Sequence, residues 1–228
     1  MRRRGFSLIE VTLSAVLLSL ALLACFQLFE WSSRAFILTH LRSGLEGESR
    51  RVLASLATDL RQGDIHGLSV IDPSLDPTRR VTAPEGESVE RDAYSLPSLT
   101  HWEDPASINP ATALPRWDRY AVVYATLANP GWLIKQYCTP GGTAPYQAPL
   151  SDLSGRINEN PALNPQSTRP VILSQSVHEF RVTFNDDTDR VTYHLTLAGR
   201  GTRKSQGRLT NERCQVSYTT RLENSGAF

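Results

Sequence analysis

The 228-residue chain predicts an α+β fold in which one long N-terminal α-helix, half membrane-spanning and half amphipathic, packs on an antiparallel β-sheet head. Three observations carry this prediction. No proline occurs before Pro73, although the chain has 14, so nothing breaks a helix from Met1 to Ile71. Within that stretch an apolar block from Val11 to Phe29 is followed by Leu38, Leu41, Leu45, Val52, Leu53, Leu56 and Leu60, whose spacings of three, four and seven are helical. From Arg119 onward, short runs of β-branched and aromatic residues alternate with polar ones between turn-forming clusters.

The apolar block holds 19 residues, of which Thr12, Ser14, Ser19 and Gln27 are polar. At a rise of about 1.5 Å per residue it extends about 28 Å, close to the ~30 Å hydrocarbon core of a bilayer. Arg2, Arg3 and Arg4 precede it, and the positive-inside rule keeps them cytoplasmic and places the rest of the chain outside. A secretory signal peptide also opens with cations and an apolar run, but its run is typically about 7 to 15 residues and ends in a small-residue cleavage site. Leu22-Leu23-Ala24-Cys25 is similar to the lipobox of bacterial lipoproteins, whose cysteine is lipidated. Against that reading, Phe26, Leu28, Phe29 and Trp31 carry the apolar character past the cysteine.

Both of those readings leave Glu10 unexplained. A carboxylate inside a hydrocarbon segment costs roughly 3 kcal/mol, so it needs a cationic partner or a headgroup-level position. The run Gly5-Phe6-Ser7-Leu8-Ile9-Glu10 resembles the prepilin signature of type IV pilins and type II secretion pseudopilins. The resemblance implies that a membrane prepilin peptidase cuts after Gly5 and methylates the new amine of Phe6, leaving the chain anchored. It implies further that Glu10 pairs with the N-terminal amine of a neighbouring subunit, whose charge survives methylation. Two such charges attract strongly at low dielectric and are each costly to bury alone, which favours docking in one register. A headgroup-level glutamate without consequence is the plainer alternative.

Past the membrane block, Arg42, Glu46, Arg50, Arg51, Asp59 and Arg61 fall mostly between the apolar positions, and Glu46 with Arg50 forms a favourable i, i+4 pair. One helix from about Ser7 to Arg61 accounts for the whole pattern. Gly44 and Gly47 each cost about 1 kcal/mol relative to alanine, which makes them the place for a bend or frayed turn, and Gly63 is the expected C-cap. The sustained heptads of a coiled-coil stalk are missing. Together with the prepilin resemblance, this pattern implies a leader (1–5), a transmembrane and filament-core helix (6–30), an amphipathic helix half (31–62) and a head (63–228).

In the head, Pro73 to Arg116 is rich in proline, serine and charge and reads as long loops with at most one short strand around Val89 to Tyr94. Strands are expected at Arg119–Leu127, Trp132–Cys138, Pro170–Leu173, Val177–Asn185, Arg190–Leu197 and Cys214–Leu222. The cluster Asn185-Asp186-Asp187-Thr188-Asp189 joins two of them as a hairpin turn. Its acids lack the twelve-residue spacing and distal glutamate of a calcium loop, so no metal is assigned. Cys138 and Cys214 lie outside the membrane block, in an oxidising compartment if the cell has a periplasm, and form a candidate disulfide, with two separate buried thiols as the alternative. Trp102, Trp117 and Trp132 supply either a binding face or packing against the sheet.

No catalytic residue is assigned. His-Glu-x-x-His, Gly-x-Ser-x-Gly and paired Cys-x-x-Cys motifs are missing, Lys204-Ser205 lacks the preceding glycine of a phosphate loop, and His40, His66, His101, His178 and His194 are scattered singly. A net charge of +1 sets up no strong field for nucleic acid. The resemblance implies a structural subunit, without cofactor, held in the bacterial inner membrane with its N-terminus cytoplasmic and its head periplasmic before it enters a pilus or pseudopilus. Gln27 stands where many major pilins carry a helix-breaking proline, and the order of head segments is similar to W-type minor pilins and J-type pseudopilins. The implied partners are the prepilin peptidase, other pilin or pseudopilin subunits and the inner membrane, with DNA, a surface or a secreted protein open as the ligand of the head. The alternative of another class is a periplasmic lipoprotein or bitopic binding protein with no filament role.

Overall fold

The structure is a computed structural model and describes residues 7–71, 76–83, 85–142, 144–201 and 210–221. Its first element, α1, is a single helix of 55 residues, Leu8–Gln62, which at about 1.5 Å per residue is about 82 Å long. The helix runs unbroken through Gly44 and Gly47, where added Cβ atoms would meet nothing within 4 Å. Gly63 is the C-cap as expected, but in an extended conformation, φ −98°. A Cβ there would collide with Leu96 Cδ1, so any larger residue would have to displace that buried side chain.

Only the distal part of α1 is buried. Leu45, Ser49, Val52, Leu53, Leu56 and Leu60 form one stripe at helical spacing. That stripe covers one face of a seven-stranded antiparallel sheet, so the chain is α+β.

The strands are β1 (Ser69–Val70), β4 (Ala93–Ser98), β5 (Arg119–Ala125), β6 (Gly131–Cys138), β7 (Val171–Asn185), β8 (Arg190–Gly201) and β9 (Thr210–Arg221), in the order β1-β4-β5-β6-β7-β8-β9. A separate ribbon pairs β2 (Arg80–Thr82) with β3 (Ser88–Glu90). The sheet curls until the chain ahead of β4 returns to β7. Arg91 forms a parallel bridge with Phe180, the Asp92 N–H donates to Phe180 O at 2.8 Å, and Asp92 Oδ2 accepts the Val182 N–H at 2.7 Å.

Alternation along β5 shows how the sheet is buried on both faces. Ala121, Val123 and Ala125 point into the core beneath α1, whereas Tyr120, Val122 and Tyr124 join a second core covered by Leu150, Leu153 and Ile157.

Three expectations need correction. The segment read as long loops with one short strand around Val89 to Tyr94 holds three strands, β2, β3 and β4, and β4 is a six-residue strand second from the edge whose first five residues are buried. Pro97 is tolerated because β1 covers only Tyr94 and Ser95, which leaves the edge beside Pro97 unpaired. The two strands expected at 170–173 and 177–185 are one strand, β7, with irregular pairing to β6 near Ser174. Cys138 and Cys214 are free buried thiols. Cys138 sits in the outer core and Cys214 in the core beneath α1, and β7 and β8 lie between their strands. At about 4.8 Å per strand step, this is far beyond the Cα separation a disulfide tolerates.

Candidate assembly site

The start of α1 is organised by its first four described residues. Ser7, at φ −76° and ψ 151°, is the N-cap, and its Oγ accepts the Glu10 N–H at 3.3 Å. Glu10 Oε2 in turn accepts the Ser7 N–H at 2.9 Å, completing a reciprocal capping box. The carboxylate therefore sits at the positive end of the helix dipole, where negative charge is stabilised. Gly5 and Phe6, the expected cleavage and methylation positions, lie outside the described residues. The capping role of Ser7 was missed in the sequence, although Ser-x-x-Glu ahead of an apolar run is its signal.

Behind this carboxylate the helix presents apolar side chains around its whole circumference, among them Leu13, Leu17, Leu20, Leu23 and Phe26, all exposed. None of the most apolar window is buried against the rest of the chain, and by length and composition the helix can cross a membrane. Cys25 is exposed in mid-span. Trp31, 72% exposed, and the Glu30–Arg34 ion pair at 3.6 Å follow the span and suit a membrane–water boundary.

The distal half of α1 is registered on the head by a buried ion pair. Lys135 Nζ on β6 donates to Asp59 Oδ1 at 2.5 Å, with both side chains largely enclosed. The Asp59 carboxylate holds the Lys135 ammonium above its ordinary pKa. The Arg119 guanidinium lies 3.8 Å over the Tyr137 ring and Lys135 Nζ lies 5.1 Å from it. Burial raises the pKa of the neighbouring Tyr94 and Tyr193 hydroxyls. A polar cluster in this place selects one seating of the helix, because any sliding strands two charges in an apolar core.

At the far end of the head, Gly67 lies against Pro97 and the main chain of Gln147, next to a cavity of about 620 Å³ lined by His101, Asp104, Arg116, Asp118 and Gln147. The tryptophans do not form one face. Trp117 is buried and meets Trp102 edge-on at 5.6 Å, whereas Trp132, 41% exposed, is the second residue of β6, at the opposite end of the strand pair from Trp117. The 185–189 cluster is a hairpin tip, with Asn185 Oδ1 accepting the Thr188 N–H at 3.1 Å and Asp189 at φ 51°. No family model, curated protein or solved structure matches this chain.

Proposed function

We propose that the chain is a minor pilin or pseudopilin, a structural subunit without catalytic activity. It is made as an inner-membrane precursor, cut after Gly5 and methylated on Phe6 by a prepilin peptidase, and then inserted at or near the tip of a type IV pilus or type II secretion pseudopilus. There it primes assembly or presents a binding surface. The observation that carries the reading is the position of Glu10. Its carboxylate stands at the start of the exposed apolar half of α1, within four residues of Phe6, and among the described residues its hydrogen-bond donor is the Ser7 N–H. In hydrocarbon, exchanging that neutral backbone donor for the ammonium of an adjoining subunit trades a charge–dipole hydrogen bond for one between two opposite full charges.

The test is intact mass and N-terminal sequencing of protein extracted from membranes. A methylated Phe6 start supports the proposal. An intact arginine leader in cells with active peptidase, or a lipid-modified Cys25 start, overturns it, the latter in favour of a lipoprotein.

A further inference from the structure

The chain between β4 and β5 is far longer than the sheet requires. Ser98 and Arg119 are paired neighbours on adjacent antiparallel strands, which a two-residue turn can join. Instead, residues 99–118 leave the sheet and return to the same point. Connections beyond about 15 residues with so little regular structure are uncommon in compact domains and are usually functional. This one builds most of the cavity of about 620 Å³, which Ala144, Pro145 and Gln147 close on the other side.

The walls are fixed by their own hydrogen bonds. Ile108 and Pro115 form a bridge and the Arg116 N–H donates to Ser107 O at 2.7 Å, which makes 107–116 a small hairpin. Asp104 Oδ1 accepts the Ala106 N–H at 2.9 Å, the Ser107 hydroxyl donates to His101 O at 2.7 Å, and Asp118 Oδ1 accepts the Thr100 N–H at 2.9 Å. The opposite wall is tied in where the Tyr146 N–H donates to Trp117 O at 2.9 Å. The hydrogen-bonding capacity left over is mixed. Asp104 and Asp118 each keep a second carboxylate oxygen, Asn109 keeps its amide N–H groups, and Gln147 presents a whole amide. The exposed Arg116 guanidinium has no hydrogen-bond or ion-pair partner among the described residues.

We propose that this cavity binds a short neutral oligosaccharide. One guanidinium set among two carboxylates gives no net attraction for phosphate or sulfate, and no group of three metal-ligating side chains occurs among the described residues. No aromatic ring lines the cavity to stack a base, and an acyl chain would leave the converging polar groups unsatisfied. A sugar hydroxyl both donates and accepts, so it can bridge a carboxylate and a guanidinium at once, while Leu114, Pro115 and Pro145 offer apolar surface to the C–H side of the ring. The volume lies within the range of about 300 to 1,000 Å³ usual for small-ligand sites. The cavity also sits at the end of the head where α1 stops, about 50 Å along the helix from Phe29. Its outward placement rests on reading α1 as a membrane anchor, whereas the binding itself does not.

The test applies the full chain, in a polyoxyethylene-ether detergent because glycoside detergents carry the competing chemistry, to an array of immobilised neutral and sialylated oligosaccharides. Neutral members are expected to bind. Titration with the best of them in free form should show affinity about tenfold weaker in Arg116→Met and about threefold weaker in Gln147→Ala, from opposite walls of the cavity. Both side chains are exposed, so the thermal midpoints of the variants should match the wild type. Failure to bind any neutral oligosaccharide, preference for the sialylated ones, or wild-type affinity in both variants would each overturn the proposal. A chain that starts at methylated Phe6 but binds no sugar loses this inference alone, and a sugar-binding chain that keeps its arginine leader loses the filament reading alone.

Discussion

Glu10 has two separable jobs. In the isolated chain its carboxylate caps the helix, and in the proposed filament its charge selects a neighbour. Glutamine at the third helical position also completes a capping box, so Glu10→Gln should keep slow amide exchange at Ser7, residue 10 and Val11 while entering filaments poorly. Ser7→Ala should do the reverse, with faster exchange at those amides, a loss of about 1 kcal/mol of local helix stability and near-normal incorporation. Equal incorporation of wild type and Glu10→Gln would remove the charge-pairing mechanism. Asp92 gives a second residue-scale test. Burial raises its pKa from 3.8 to about 6, so the folded state binds this proton more tightly than the unfolded state does. Its contribution is full below about pH 4 and is lost as the pH rises through about 6, an effect of about 3 kcal/mol at most. Asp92→Asn should flatten the dependence of the urea midpoint on pH across that window. An unchanged slope would show that Asp92 titrates normally.

The Asp59–Lys135 pair ties α1 to β6, and its removal in steps is informative. Asp59→Leu or Lys135→Met alone should cost about 3 to 5 kcal/mol, because each leaves the other charge buried without a partner. The double variant Asp59→Leu, Lys135→Met should recover most of that loss in urea unfolding. Simple additivity of the two single losses would mean that the pair does not interact. The elements themselves were unequally legible. The helix was plain because Leu45 to Leu60 repeat at 3.6-residue spacing, and β5 and β6 because their apolar runs are compact. β4 was hidden because Ala93–Ser98 is buried on both faces and so lacks alternation, while its proline argues for a loop. β7 read as two strands because Ser174-Gln175-Ser176 interrupts its apolar pattern at the point where its pairing with β6 is irregular. Glu10 stands out in the sequence as a lone carboxylate beside an apolar block, whereas nothing in the single Arg91-Asp92 dipeptide announces that Arg91 is buried.

At the scale of the whole molecule, the two cores explain the fate of the cysteines. Each thiol belongs to a different face of the sheet, and burial raises the Cys138 pKa further away from the reactive thiolate. Head thiols should therefore resist alkylation in the native protein and react on unfolding, and electrophoretic mobility should be the same with and without reductant. A mobility shift on reduction would restore the disulfide.

The meander from β4 to β9 has a further consequence for how the head comes into being. Each strand after β4 pairs with the one synthesised just before it, so a chain delivered N-terminus first can zip up one hairpin at a time without waiting for distant sequence. The exception is the bridge from Arg91 to Phe180, which spans most of the sheet and closes only after β7 has emerged. Defects in β5 or β6 should therefore stall maturation early, and defects around residues 91 and 180 late, with a nearly complete but unlatched sheet as the species that accumulates.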